Sequence, residues 1–447
     1  MDFSSIIIIV AQNIWSFPLL LGIFGLCVFM TFQLRFVQFR HFFNAVGMIF
    51  SSDDKTETKK EGELTAFQAF INTLGANIGN GSLAGIPVAI CTGGPGSIFW
   101  LLVMSTFAIA LRYTEVYLGM AFIGKHRFGS AKGGPMLYLS MLPFGSFLSY
   151  TFAFFCLGYA MFGGNIVQCN SVGLALQRTW NIDPYVTAFF ILAFISYVLI
   201  GGAQRIVKYL EMLVPFKVLL FIGSSLIVLI YHYQAIPHAF ALIFEGAFYP
   251  QAFIGGSAGF ALQQVMRVGF ARGLLIHEAG LGTSSVAFGS TTGEHAVKDS
   301  ILSMLSVYIN THIICLMIAL SILASGDAWQ HGETSTALMV STYETVFGSF
   351  GGWIISFLTV NFAISVLVSY AYIGKICWDF LTNNRFVYLF PCLYVSAAFF
   401  GTFMKVDLVW HLADLVNAGL FTLNMLGILW FIGMVRKGLR DYESNSK

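Results

Sequence analysis

Charged side chains are scarce in this chain: Asp, Glu, Lys and Arg together make up 10% of its 447 residues, and none occurs from Leu64 to Leu111. A soluble globular domain carries about 25% charged residues, so a water-exposed surface cannot be built from this composition. Basic runs are missing too. None exceeds a pair such as Lys59-Lys60 and the net charge is only +2, which argues against a nucleic-acid partner. The seven cysteines lie scattered through apolar segments with no Cys-x-x-Cys spacing, so they read as small core residues and not as a disulfide framework or a metal site. Hydrolytic signatures are absent as well: His277-Glu278 is not followed by the second His of a zinc protease motif, and no Ser or Cys stands in a nucleophile motif. This argues against an enzyme. The first 34 residues have neither a basic leader nor a small-residue cleavage site, and their apolar run is long enough to span a bilayer, so it reads as a retained helix.

What the chain does have is apolar length. Hydrophobic residues reach 57%, aromatics 16%, and mean hydropathy is +0.78, the composition of an all-α polytopic membrane protein. Uncharged runs of about 18 to 30 residues mark the spans. A leading helix is predicted near 13–34, followed by helices near 66–91, 95–124, 147–177, 184–201, 208–231, 252–273, 297–324, 346–376, 385–403 and 407–435, about 11 transmembrane helices in all. Gly93-Gly94-Pro95-Gly96 splits the long uncharged stretch into a hairpin. Of the 23 Lys and Arg, all but Arg112, Arg178, Lys217 and Lys405 then fall on one side of the membrane, which by the positive-inside rule puts the N-terminus outside and the C-terminus in the cytoplasm. Beyond the leading helix and its loop (1–65), the ten remaining helices divide into two halves of opposite orientation, 66–231 and 232–435, with a cytoplasmic tail at 436–447.

One stretch resists the helical reading. Asn72-Thr73-Leu74-Gly75-Ala76-Asn77-Ile78-Gly79-Asn80-Gly81-Ser82 crowds glycine and polar residues into an apolar span, although each glycine costs a helix interior about 1 kcal/mol relative to alanine. An unwound turn at membrane depth is tolerated only where it faces a cavity or a bound solute, so this is the predicted binding site. The corresponding helix of the second half carries Gly255-Gly256-Ser257-Ala258-Gly259. Paired Gly-interrupted helices in two inverted halves point to a transporter site at the bilayer midplane, against the alternative that small residues only permit close helix packing.

These residues resemble a known family. Gly79-Asn80-Gly81-Ser82-Leu83-Ala84-Gly85 with Gly93-Gly94-Pro95-Gly96, Lys132-Gly133-Gly134-Pro135-Met136, Glu211-Met212-Leu213-Val214-Pro215-Phe216, Gly269-Phe270-Ala271-Arg272-Gly273, Glu278-Ala279-Gly280-Leu281-Gly282 and Trp410-His411-Leu412-Ala413-Asp414 are similar to the signature motifs of the alanine or glycine:cation (sodium) symporter family. The resemblance covers nearly the whole chain. It implies sodium-coupled import of small neutral amino acids such as alanine or glycine across a bacterial-type cytoplasmic membrane. The implied fold is a five-plus-five inverted repeat of the leucine-transporter type, with the sodium ion as coupling ion, no other cofactor and no obligate protein partner. The chain departs from the family at Asn80 and Ser82, at His277, and on the eighth helix, where Val366 and Tyr370 stand for a Thr and a Trp.

An amino acid brings a carboxylate and an ammonium, both costly to desolvate. The free backbone N–H groups of Asn80 and Gly81, beside Gly79 and Ser82, would meet the carboxylate at the favourable end of a helix dipole. Carbonyls of Gly75 and Ile78 with the Ser365 hydroxyl would supply hard oxygen ligands to sodium. By resemblance the face of the third helix with Gly163, Gly164 and Gln168, and the eighth-helix segment with Val366, Leu367 and Tyr370, complete the substrate pocket, Tyr370 limiting side-chain size. Arg112 and Glu115 read as a structural ion pair at i, i+3, and Glu278 and Asp414 as gating or packing groups. A proton-coupled or uncoupled carrier, or a transporter-like sensor, is the alternative. Proton coupling wants a titratable group beside the break, and the break itself supplies none.

Overall fold

The computed structural model describes residues 15–50, 64–124, 133–249, 258–291, 295–331, 335–404 and 407–445. All regular structure among them is helical. In chain order the helices are α1 (Phe17–Gln33), α2 (Val37–Arg40), α3 (Phe42–Phe50), α4 (Ala66–Asn77), α5 (Asn80–Gly93), α6 (Gly96–Ala121), α7 (Pro135–Leu139), α8 (Gly145–Trp180), α9 (Pro184–Ile200), α10 (Gly202–Tyr231), α11 (Ile236–Phe248), α12 (Ala258–His277), α13 (Thr283–Phe288), α14 (Ala296–Ala324), α15 (Ser335–Phe347), α16 (Phe350–Thr382), α17 (Leu389–Gly401) and α18 (Asp407–Asn445). Wide π-type turns interrupt α8 at Phe162–Ile166 and α14 at Tyr308–Cys315.

Among the described residues six helices are long and apolar enough to cross a membrane, and α4 with α5 makes a seventh as a broken span; α1, α9 and α17 are shorter apolar helices. The bend between α4 and α5 is 42°. Residues 251–257, with the predicted second break at Gly255-Gly256-Ser257, lie outside the described residues, as does Lys132. Helices α3, α11, α13 and α15 lie largely between the predicted spans, because at 6 to 13 residues they are too short to show as spanning runs.

Local chemistry explains the boundaries. α4 starts at a reciprocal capping box in which Thr65 Oγ1 accepts from Gln68 N and Gln68 Oε1 accepts from Thr65 N, both at 3.1 Å. Asp183 caps α9, whose first residue is Pro184. The predicted turn after α5 is present: Gly94 adopts φ +71°, and the start of α6 runs so close to α11 that a Cβ on Gly96 would lie 2.0 Å from the Gly246 carbonyl carbon. Outward faces carry apolar side chains such as Phe144, Phe189, Phe190 and Ile200, the surface expected against lipid.

Candidate functional site

Breaking a helix inside a membrane frees backbone groups that need partners, and the partners of this break define the site. α4 ends at Asn77; Ile78 (φ −83°, ψ 87°) and Gly79 (φ −130°, ψ −172°) run extended, and α5 starts at Asn80. The freed carbonyl of Asn77 accepts from Asn310 Nδ2 at 3.0 Å. That amide also donates to Ile276 O at 2.9 Å, while its oxygen accepts from Ser82 Oγ at 3.0 Å. Asn310 lies on the π-turn of α14, where the extra residue in the turn releases it from the regular helical face. One side chain thus ties the break to the end of α12. A second tie runs from Asn77 Nδ2 to His277 O at 3.2 Å, and the same carbonyl accepts from Arg112 Nη2 at 2.5 Å.

Two more freed carbonyls, those of Gly75 and Ile78, accept from Lys217 Nζ at 3.3 and 2.5 Å, and the ammonium also donates to Ser365 Oγ. Gly75, Ile78 and Ser365 therefore converge as the sequence suggested, but around a lysine of α10. The expectation that no titratable group adjoins the break is corrected: the break has none of its own and takes one from the fifth span.

Along α5 lies a cavity of about 680 Å³. Of the predicted substrate residues, Gly79, Asn80, Gly81, Gly163, Gln168, Val366 and Tyr370 line it, and Ser82, Gly164 and Leu367 do not. Ser82 is turned to Asn310, the Gly164 backbone is covered by the Tyr370 ring, and the Leu367 carbonyl accepts from Tyr394 Oη at 2.8 Å. Both amide atoms of Asn80, Gln168 Oε1 and Asn77 Oδ1 are buried at the cavity wall without a protein partner. Buried polar atoms left open in this way are suited to a polar ligand.

Glu278, read from sequence as a gating or packing group, reaches the cavity as well. It sits just past the end of α12 at φ +54°, and Tyr370 Oη donates to its Oε2 at 2.6 Å while Tyr159 Oη donates to Oε1 at 3.1 Å. Tyr370 is thus more than a steric wall. Its ring packs edge-on against Tyr159 at 5.2 Å while its hydroxyl holds the carboxylate. Arg267 and Arg272 of α12 and Asp414 of α18 also line the cavity, so neither arginine is the loop residue that charge counting made it. Asn310 and Glu278 were missed for a common reason. Each has its partners on spans remote in sequence.

Arg112 and Glu115 form the expected buried pair, Nη1 to Oε1 at 2.8 Å with both side chains fully covered. Glu115 Oε2 further accepts from Gly280 N, Gly282 N and Asn424 Nδ2 at 2.9, 3.0 and 3.2 Å, which fixes the turn that carries Glu278. Asn170, read as an interhelical bond, donates to Met404 O at 2.9 Å.

Replacing Asn310 with Leu removes three hydrogen bonds at similar volume. A loss of about 2–4 kcal/mol is expected, at about 1 kcal/mol per bond plus the carbonyl left unpaired. Thermal unfolding of the detergent-solubilised variant measures it, and an unchanged midpoint would refute the bracing role of Asn310.

A helical membrane bundle with a broken span at its centre and a polar cavity at the break is the architecture of a multi-pass transporter. Crystal structures of the Eremococcus coleocola manganese transporter share this fold: one aligns with a TM-score of 0.52 at 11% identity, covering 81% of this chain and 76% of that one, and another with a TM-score of 0.51 at 12% identity, covering 84% and 80%. The chain belongs to the sodium:alanine symporter family, whose model matches residues 1–447. The sodium/alanine symporter AgcS of Methanococcus maripaludis is 32% identical over 444 residues, 97% of this chain and 96% of that protein. The amino-acid carrier protein AlsT of Bacillus subtilis is 28% identical over 457 residues, 100% of this chain and 93% of that one.

Proposed function

We propose that this chain imports small neutral amino acids, alanine or glycine among them, by alternating access across a cytoplasmic membrane, and that it is a carrier and not an enzyme. The observation that supports this most is the bipolar lining of the cavity. At one pole the first N–H groups of α5, at Asn80 and Gly81, have no acceptor within their own helix and face the cavity with the positive end of the helix dipole, which suits a carboxylate. At the other pole Glu278, held by two tyrosine hydroxyls, and the open Gln168 Oε1 suit an ammonium. With the N-terminus outside, the cavity runs outward past Thr92, Arg267 and Trp410, and the turn bearing Glu278 closes it below. The two five-helix halves, 66–231 and 232–435, would then rock about this site.

Uptake of labelled alanine into proteoliposomes, with glycine, serine, valine and leucine as competitors, tests the reading, and failure of alanine to exchange across the membrane would sink it. The same assay reads size selectivity. Removal of the ring in Tyr370→Ala opens the wall beside Gly164 and frees Glu278 of a hydrogen bond, so valine and leucine should compete roughly 10- to 200-fold better relative to glycine, the worth of a methylene-sized contact. Identical competitor rankings in wild type and variant would place the filter elsewhere.

A further inference from the structure

The oxygens that the sequence offers to sodium are already engaged by a cation of the protein itself. We propose that the ammonium of Lys217 is the coupling cation of this carrier, that no sodium ion binds at Gly75, Ile78 and Ser365, and that a proton exchanged at Lys217 Nζ drives uptake. This inference rests on the carrier function proposed above and specifies its coupling.

The geometry is that of a filled site. Lys217 is fully buried on α10, and its three N–H donors meet three oxygens: the carbonyls of Gly75 and Ile78 and the hydroxyl of Ser365. Ser365 Oγ in turn donates to Phe362 O at 2.8 Å, so its lone pairs are turned to the lysine. The Phe362 ring lies 5.3 Å from Nζ, a cation–π distance. Gly75 lies in the last turn of α4 and Ile78 is the residue that caps it, at the helix end where the dipole favours positive charge. A sodium ion bound to the same oxygens would share them with an ammonium at contact distance, and two like charges do not share one ligand set in a dry interior.

No other charge competes for Lys217. Among the described residues it has no carboxylate within ion-pair distance. Several titratable groups on α10 and on the helices packed against it are engaged elsewhere. On α10 itself Glu211 accepts from Gln68, and Arg205 lies over the ring of Tyr197 on α9. On α15 Tyr343 bonds Ser225; on α16 Tyr370 donates to Glu278, and Lys375 pairs with Asp379 at 2.6 Å. Neither α4 nor the stretch Leu316–Ala324 of α14 carries a titratable side chain. The positive charge on these three oxygens is set by the one proton that Lys217 Nζ can release.

That proton has a lever to act on. Charged, Nζ holds the broken span against α10 and α16 through three donors. On release, Lys217–NH₃⁺ passes one proton to a water molecule, giving the neutral amine and a hydronium ion; the N–H bond electrons remain on nitrogen as a lone pair. The lone pair then faces one of the oxygens, and the clasp between α4, α10 and α16 weakens. Loading the proton from outside and losing it inside would bias the two ends of the transport cycle in opposite directions.

Two assays on the full-length carrier in proteoliposomes separate the coupling from the carrier reading. Alanine exchange with identical buffer on both sides reports the carrier alone. Net accumulation is then measured in choline buffer with membrane potential clamped and the lumen one pH unit more alkaline. One proton per alanine predicts about tenfold accumulation from that gradient, with a sodium gradient alone adding less than about twofold. Lys217→Met should abolish proton-driven accumulation and, by clearing the oxygens, make uptake sodium-stimulated; Lys217→Arg, a cation that does not release its proton, should also lose proton-driven accumulation. Intact exchange with accumulation driven only by sodium, or proton-driven accumulation that survives Lys217→Arg, overturns this inference and leaves the carrier standing. Absence of exchange removes both.

Discussion

Gly81→Val is expected to cut alanine uptake at least about 100-fold without disturbing the fold. The Cα of Gly81 lies in the first turn of α5, and a Cβ built there meets nothing within 4 Å, because it projects into the cavity. A valine would therefore be accommodated by the protein and would occupy the space in front of the N–H groups of Asn80 and Gly81. A charge-assisted hydrogen bond contributes about 1.5–3 kcal/mol, so blocking two of them removes about 3 kcal/mol or more, two orders of magnitude in binding. The effect comes from position and not from backbone strain, since Gly81 belongs to a regular helix. Gly81→Ala, with one methyl group, should fall between. Equal elution profiles and thermal midpoints for wild type and Gly81→Val, with uptake lost, are the expected result. Uptake within tenfold of wild type would mean that the substrate carboxylate binds elsewhere.

How far the sequence carried this reading depends on whether a feature is local. The break at Ile78-Gly79, the turn at Gly94-Pro95 and the cap at Asp183-Pro184 are written in adjacent residues, and most spanning helices begin and end within about six residues of where composition puts them, whereas α18 runs on to Asn445 through the segment expected as a tail. Short helices such as α11 and α15 leave no such trace, because their apolar faces are set by what they pack against. The site divides in the same way. Gly79, Asn80 and Gly81 were legible because glycine and asparagine have no business in an apolar span unless they serve the backbone there. Ser82, Gly164 and Leu367 were assigned to the pocket along with their neighbours, yet a helix turns by 100° per residue and sends adjacent side chains to different faces. Lys217 gave the one usable long-range signal. A charged residue inside an apolar span needs a partner, and α10 supplies none for it. The freed carbonyls of α4 needed a donor. Matching an unpaired donor on one span with unpaired acceptors on another could have joined the two before any coordinates, although nothing in the spacing says which carbonyls they are.

The Arg112–Glu115 pair carries the largest expected effect on stability. Both side chains are fully buried, and together they organise the end of α12: Arg112 holds the His277 carbonyl, while Glu115 holds the amides of Gly280 and Gly282. The turn between these points is unusual backbone, with Glu278, Gly280 and Gly282 all at positive φ. Glu278 is the costly member because it has a Cβ, and the clamp is what keeps it there with its carboxylate in the cavity. Arg112→Met fills a similar volume but leaves Glu115 as a buried carboxylate without a counter-charge. Breaking such a pair from one side costs about 3–5 kcal/mol, a large share of the roughly 5–15 kcal/mol that holds a folded domain together. Poor recovery from the membrane and a much lower thermal midpoint are expected for Arg112→Met. Arg112→Met combined with Glu115→Gln removes both charges, and the glutamine oxygen can still accept from Gly280 and Gly282, so most of the lost stability should return. Its uptake should remain below wild type, because nothing then holds the His277 carbonyl except Asn77, and the carboxylate of Glu278 loses its fixed approach to the cavity. A single Arg112→Met variant as stable as wild type would show that Glu115 is satisfied by its amide donors alone, and that the turn needs no ion pair to stand.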